Sequence, residues 1–168
     1  MKLAVIIPVY NAENTIRKAV KSIDTTHDVE IICINDGSTD RTKQVLTELQ
    51  KEVKHLIVYH QDNQGAAKSR NMGLSAMSDD IDAFMFLDAD DQFLPGKMDQ
   101  MIQYYEKNEH LDIVIGQIGR GLNGDWKVIP THEDIHREAI VSLAEAPEIL
   151  QSIGPGGKLF KAKFNTLR

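Results

Sequence analysis

Asp88 and Asp90 flank one small residue, Ala89, directly after the apolar run Ala83 to Leu87. Two carboxylates presented this way offer hard oxygen ligands, which suit Mg2+ or Mn2+ when phosphate oxygens and water complete the octahedron. A cation held there would stabilise charge on a departing phosphate. Acidic residues after a buried strand also serve as plain helix caps, so the pair alone leaves both readings open. Arg70 adds a forked donor matched to phosphate oxygens, and Asp36 an acceptor for imide or hydroxyl hydrogens. Their bland alternatives are a solvated helix face for Arg70 and, for the nearby aromatic Tyr10, a packing residue.

These residues need strands to deliver them. Leu3 to Val9 is a continuous apolar run, as expected of a strand buried on both faces, and Val29 to Ile34, Leu56 to Tyr59, Ala83 to Leu87 and Ile113 to Ile118 read the same way. Between them, apolar residues recur at helical spacing: Ile16, Ala19, Val20 and Ile23; then Val45, Leu46, Leu49 and Val53, with Ser38, Thr39 or Asp40 as N-cap. A third helix opens at Gln64-Gly65 with Ala67, Leu74 and Met77 inward, and a fourth at Pro95-Gly96 with Met98, Met101, Ile102 and Tyr105. Strands alternating with helices predict an α/β fold, a mostly parallel twisted sheet with right-handed crossovers and helices on both faces. Ligands of such sheets collect outside the carboxyl ends of the strands. That rule selects Pro8-Val9-Tyr10-Asn11, Asn35-Asp36-Gly37, Asp62-Asn63 and Asp88-Ala89-Asp90. After residue 120 the pattern weakens to a glycine-rich turn (Gly119 to Gly124), a short strand (Trp126 to Ile129), a helix over Ile140 to Ile153 and the loop Gly154 to Gly157 before Lys158-Leu159-Phe160.

Composition narrows the class. The chain has 168 residues, 42% hydrophobic and 26% charged, which fits one globular domain. Its net charge of −6 argues against nucleic-acid binding, which needs a basic face. Any polyanionic ligand must then be neutralised locally. No apolar run approaches the roughly 20 residues of a membrane span. Cys33 is the single cysteine and lies in the run Ile31-Ile32-Cys33-Ile34, where it reads as a small buried hydrophobe. These features predict a reducing, cytoplasmic compartment, with peripheral attachment at the inner membrane face as the membrane-associated alternative.

Four segments carry a resemblance: Val5-Ile6-Ile7-Pro8-Val9-Tyr10-Asn11, Asn35-Asp36-Gly37-Ser38-Thr39-Asp40, Asn63 to Gly73 (NQGAAKSRNMG) and Phe86-Leu87-Asp88-Ala89-Asp90-Asp91. In their order and spacing the chain resembles the family 2 glycosyltransferases of the Rossmann-like GT-A fold, over about its first 120 residues. The resemblance implies an inverting, metal-dependent transfer of sugar from a nucleoside-diphosphate donor, commonly uridine-linked. The acceptor would be a hydroxyl of a glycan, polyol or lipid-linked molecule, in cell-surface polysaccharide, teichoic acid or other glycan synthesis. It also implies roles: Pro8, Val9, Tyr10 and Asn11 hold the base, with Tyr10 against its ring, and Asp36 bonds base or ribose. Asn63, Gly65 and Arg70 lie at base and diphosphate, Asp88 and Ala89 at ribose or sugar, and Asp90, with Asp88, at Mn2+ or Mg2+. Residues 1–120 would form the nucleotide-sugar-binding core, and 121–168 the start of an acceptor-side portion.

Four rival readings are weaker. His132-Glu133-Asp134-Ile135-His136 matches a zinc-peptidase pattern, but it follows Pro130-Thr131 and has no glutamate after Glu148 to act as a distant third ligand. A phosphatase-like nucleophile at Asp88 would need a hydroxyl residue and a lysine on later strands. A dinucleotide dehydrogenase would need GxGxxG at the first turn, where Pro8-Val9-Tyr10-Asn11 stands. The fourth rival is a nucleotide-sugar-binding module without catalysis of its own. Inverting transfer needs a carboxylate to deprotonate the acceptor. The family places it shortly after a strand like Gly157 to Lys161, yet nothing after Phe160 is acidic and Glu133-Asp134 comes too early. The base is therefore expected beyond Arg168, and an acceptor wall missing with it would expose apolar surface that favours self-association.

Overall fold

A computed structural model describes residues 1–108, 110–122, 125–128, 140–141 and 156–162. Four strands, β1 (Lys2–Val9), β2 (Asp28–Asp36), β3 (Leu56–Gln61) and β4 (Ala83–Phe86), alternate with helices α1 (Ile16–Lys21), α2 (Thr42–Glu52) and α3 (Ala66–Ala76). Helix α4 (Lys97–Lys107) follows, then β5 (Ile113–Ile115), a hairpin of β6 (Gly119–Leu122) and β7 (Asp125–Val128), and β8 (Lys158–Lys161). The sheet order is β3-β2-β1-β4-β8-β5. The first four strands are parallel, in a register running from Lys2↔Asp28 to Val9↔Asn35 between β1 and β2 and from Ile31↔Leu56 to Asp36↔Gln61 between β2 and β3.

Side chains alternate across the pleat, and both faces are covered. Leu3, Val5, Ile7 and Val9 pack with α1, α2 and α4 through Ile16, Val20, Leu46, Leu49, Met98 and Ile102. Ala4, Ile6, Ile32, Ile34, Phe84 and Phe86 face α3, where Met72, Leu74 and Met77 close the second cluster. Cys33 is fully buried, and burial pushes its thiol up to about 12, as expected of a packing residue.

Several expectations are corrected. Ala67 is exposed, whereas Leu74 and Met77 pack inward as expected, and Ser69 and Gly73 are the buried residues of α3. The helix lies so close to β1 that a Cβ on Gly73 would stand 2.3 Å from Ile6 Cγ2. Gly73→Ala is therefore expected to destabilise the fold by about 1–3 kcal/mol through overpacking, measurable as a lower urea midpoint at unchanged slope. The N-cap of α2 is Arg41, although Asp40 Oδ1 still accepts the Thr42 N–H at 2.9 Å. The fifth strand is shorter than expected and does not touch β4. Instead β8 runs antiparallel between them, pairing Phe84↔Phe160 and Ile113↔Phe160. Phe84 and Phe160 stack with ring centres 5.2 Å apart, and Phe86 meets both edge-on, which supplies apolar contact for this insertion. The glycine-rich stretch from Gly119 enters a hairpin strand rather than staying a turn. His132 to His136, and the expected helix after Val141, lie outside the described residues.

Candidate functional site

Because β3, β2, β1 and β4 are parallel neighbours, their carboxyl ends form one edge, where the loop after β2 bonds those after β1 and β3. Asn11 leaves β1 with φ 48, a left-handed conformation that asparagine tolerates better than most residues. Its backbone N–H donates to Ser38 Oγ at 3.0 Å, and its side-chain Oδ1 accepts the Thr39 N–H at 2.8 Å. The β1 loop is thereby tied to the β2 loop. Gly37, at φ +71, then approaches the third loop so closely that a Cβ there would lie 2.8 Å from the Asn63 nitrogen.

Asp36 ties the second and third loops more firmly. It is 3% exposed, and its Oδ1 accepts from Gln61 Nε2 at 2.6 Å and the Gln64 N–H at 2.8 Å, while Oδ2 accepts the Gly65 N–H at 2.8 Å. Burial pushes this carboxyl up, but the bonds from Gln61, Gln64, Gly65 and Ser69 outweigh it and hold the group below the usual aspartate range. Gly65 adopts φ 88 and ψ 159, a region nearly confined to glycine, and its carbonyl accepts the Ser69 N–H at the start of α3. A depressed folded pKa contributes stability above the unfolded value of about 4, and loses it as pH falls through the folded value. Asp36→Asn should therefore cost on the order of 1–3 kcal/mol at neutral pH. Urea melts of wild type and mutant should converge as the medium is acidified below about pH 4, where the wild type loses its advantage.

Helix α3 carries the connection to β4. Arg70 Nη2 donates to Asp88 Oδ1 at 2.6 Å, and its guanidinium carbon lies 5.9 Å from the centre of the Phe86 ring. Arg70 Nε is buried without a hydrogen-bond partner, a donor that lacks its acceptor. After Asp88 the chain turns, with the Asp91 N–H donating to the Asp88 carbonyl at 3.0 Å. Asp90 is exposed. Asp91 is held above the usual carboxylate range, first by partial desolvation and then by the charges of Asp90 and Asp88. Among the described residues no group of three or more His, Cys, Asp or Glu side chains is arranged to hold a metal. The donor chemistry nevertheless fits a hard cation: two aspartates with oxygen ligands, one of them exposed, crowd a third carboxyl, and a diphosphate could supply the remaining oxygens.

The expected residues thus divide. Asp36 with Gly65 and Arg70 with Asp88 are bonded directly, while Asn11 is tied to Ser38 and Thr39 and Asn63 lies against Gly37. Tyr10 stands 52% exposed at the mouth of the β1 loop, an open aromatic face. Pro8 is half-buried, while Val9 is 1% exposed and packs in the core, leaving its backbone as the part that can meet a ligand. Ala89 packs partly against the same core. Sequence reasoning missed His60 and Gln61, which bond Asn35 and Asp36 across the strands; their polar character at the end of an apolar strand was the available signal.

A shallow groove along α2, lined by Asp40, Arg41, Lys43, Thr47 and Lys51 among others, competes in shape alone. All its residues come from one helix and the turn before it, so no strand ends converge there. Among the described residues no helix is long and apolar enough to cross a membrane.

Comparison with known proteins agrees with this geometry. The family model described as Glycosyl transferase family 2 matches residues 4–164. A Staphylococcus aureus protein bearing the name of a glycosyltransferase, TagX, is 39% identical over 172 residues, covering 100% of this chain and 49% of that protein. The crystal structure of S. aureus TarS 1–349 in complex with UDP-GlcNAc matches with a TM-score of 0.80 at 24% identity, over 98% of this chain and 47% of that one. The mannosyltransferase PcManGT from Pyrobaculum calidifontis, in complex with GDP-Man and Mn2+, matches with a TM-score of 0.62 at 17% identity, over 70% of this chain and 35% of that one. At these identities the two structures establish a shared fold. The chain spans about half the length of TagX and TarS 1–349.

Proposed function

The chain belongs to glycosyl transferase family 2, and from that premise we propose that its strand-end crevice binds a nucleoside-diphosphate sugar, uridine-linked, together with Mn2+ or Mg2+. The observation that carries this reading is three sets of contacts at one sheet edge: Asn11 ties the β1 loop to Ser38 and Thr39, Asp36 ties the end of β2 to Gln64 and Gly65, and Arg70 ties α3 to Asp88. Tyr10 offers its ring to the base, with the backbone of Pro8 to Asn11 around it. Asp36 and Asn63 serve the base and ribose, and Asp36 also fixes the loop on which Asn63 sits. Arg70 orients the diphosphate, Asp88 meets the ribose or sugar, and Asp90 with Asp88 holds the cation. When bound, that cation neutralises charge developing on the leaving diphosphate.

The whole protein is proposed to transfer the sugar with inversion to a hydroxyl of a glycan, polyol or lipid-linked acceptor, at the cytoplasmic side of the membrane. The proposed product is a cell-surface polysaccharide, teichoic acid or other glycan, and the UDP-GlcNAc bound to TarS 1–349 favours a uridine-linked donor. Residues 1–120 are assigned to the donor side and 121–168 to the start of the acceptor side, with β8 pinning the second segment into the sheet of the first.

Calorimetric titration with a panel of nucleoside diphosphates and their sugars, each in Mn2+, tests the donor reading. Saturable binding that prefers uridine diphosphate over the adenosine and guanosine forms is the expected outcome. Preference for another base would overturn the uridine assignment, and no binding by any of them would overturn the donor site itself.

A further inference from the structure

The pleat sends two cross-strand pairs at the ends of β2 and β3 to opposite faces of the sheet. Asp36 and Gln61 meet on the α3 face and anchor the third loop. Asn35 and His60 meet on the other face, following Cys33 and Val58 in alternation. Asn35 is 4% exposed, and its Oδ1 accepts the Ser38 N–H at 3.1 Å. That bond orients the amide, so its nitrogen is the atom 3.0 Å from His60 Nδ1. An amide nitrogen only donates, so Nδ1 is the acceptor and the imidazole carries its proton on Nε2.

We propose that His60 is a positioning residue for the donor site. By accepting the buried Asn35 amide it fixes the turn from Asn35 to Ser38, and Ser38 in turn receives the Asn11 N–H. Through these bonds an exposed imidazole at the end of β3 sets the β1 loop two strands away, where the left-handed Asn11 needs external support. The inference rests on the donor reading for its consequence in binding, and on the geometry alone for its effect on the turn.

Two variants separate the contact from general stability. His60→Leu removes the acceptor, whereas His60→Asn keeps a neutral acceptor oxygen close to the Nδ1 position. One neutral hydrogen bond corresponds to about a 3- to 10-fold loss, so His60→Leu should weaken uridine-diphosphate binding by that factor and speed amide exchange at Ser38 and Thr39 similarly. His60→Asn should restore both and melt close to wild type, while His60→Leu should melt no more than about 5 °C lower, the shift that one lost hydrogen bond accounts for. Equal binding by wild type and His60→Leu, or failure of His60→Asn to recover, would overturn the assignment. If wild type takes up no uridine diphosphate, the donor reading fails instead, and the exchange rates at Ser38 and Thr39 still decide the His60 contact.

Discussion

Asp90→Ala is expected to abolish the metal-dependent part of uridine-diphosphate affinity, a loss of roughly 100-fold, while metal-free binding stays unchanged. The two aspartates around Ala89 are not equivalent. Asp88 already shares an oxygen with Arg70 at 2.6 Å, so its charge is partly neutralised within the protein. Asp90 is exposed, and among the described residues it makes no hydrogen bond or ion pair. Its charge instead helps to push the neighbouring Asp91 carboxyl up, a repulsion that a bound cation would relieve. Removing Asp90 removes the one of the two proposed ligands that no cationic side chain already neutralises. Calorimetry of wild type and mutant in Mn2+ and in EDTA distinguishes the cases. Four equal affinities would show that no cation acts through Asp90.

Arg70→Lys is the second large effect, a loss of about 1–3 kcal/mol in uridine-diphosphate affinity with uridine affinity unchanged. The guanidinium is anchored over Phe86 and bonded to Asp88 through Nη2, so its remaining donors are held in a fixed plane. Its Nε is buried, so any further ligand meets the guanidinium through the terminal nitrogens. Lysine keeps the charge but neither the plane nor the second donor. A loss shared equally by uridine would mean that the substitution disturbs the loops rather than the diphosphate. Unchanged affinity for both would return Arg70 to a purely structural pairing with Asp88.

The parallel half of the fold was legible because β1, β2 and β4 are apolar runs that end abruptly in polar residues, and their alternation with helical spacing admits few topologies. The crevice followed from that, since parallel strands place their carboxyl ends together. Strand β8 was legible as a strand but not in its place. Four residues, Lys158 to Lys161, carry no signal for pairing antiparallel between β4 and a strand some forty residues earlier. Helix α3 misled at Ala67, because its contact surface is built from small residues, Ser69 and Gly73, that periodicity of large apolar side chains does not register. Asp36 shows a different limit. Its residue type marked it as a ligand, but only the fold reveals that its oxygens also accept from Gln61, Gln64 and Gly65 and so hold the third loop in place.

Amide chemical-shift mapping with uridine diphosphate and Mg2+ locates the bound nucleotide without depending on turnover. Shifts concentrated at residues 9–11, 36–38, 63–66 and 88–91, saturating together, are expected of a ligand seated in the strand-end crevice. Shifts confined to the opposite strand ends, around Asp28, Leu56 and Asp82, or to the groove of Lys43, Thr47 and Lys51 along α2, would contradict that placement.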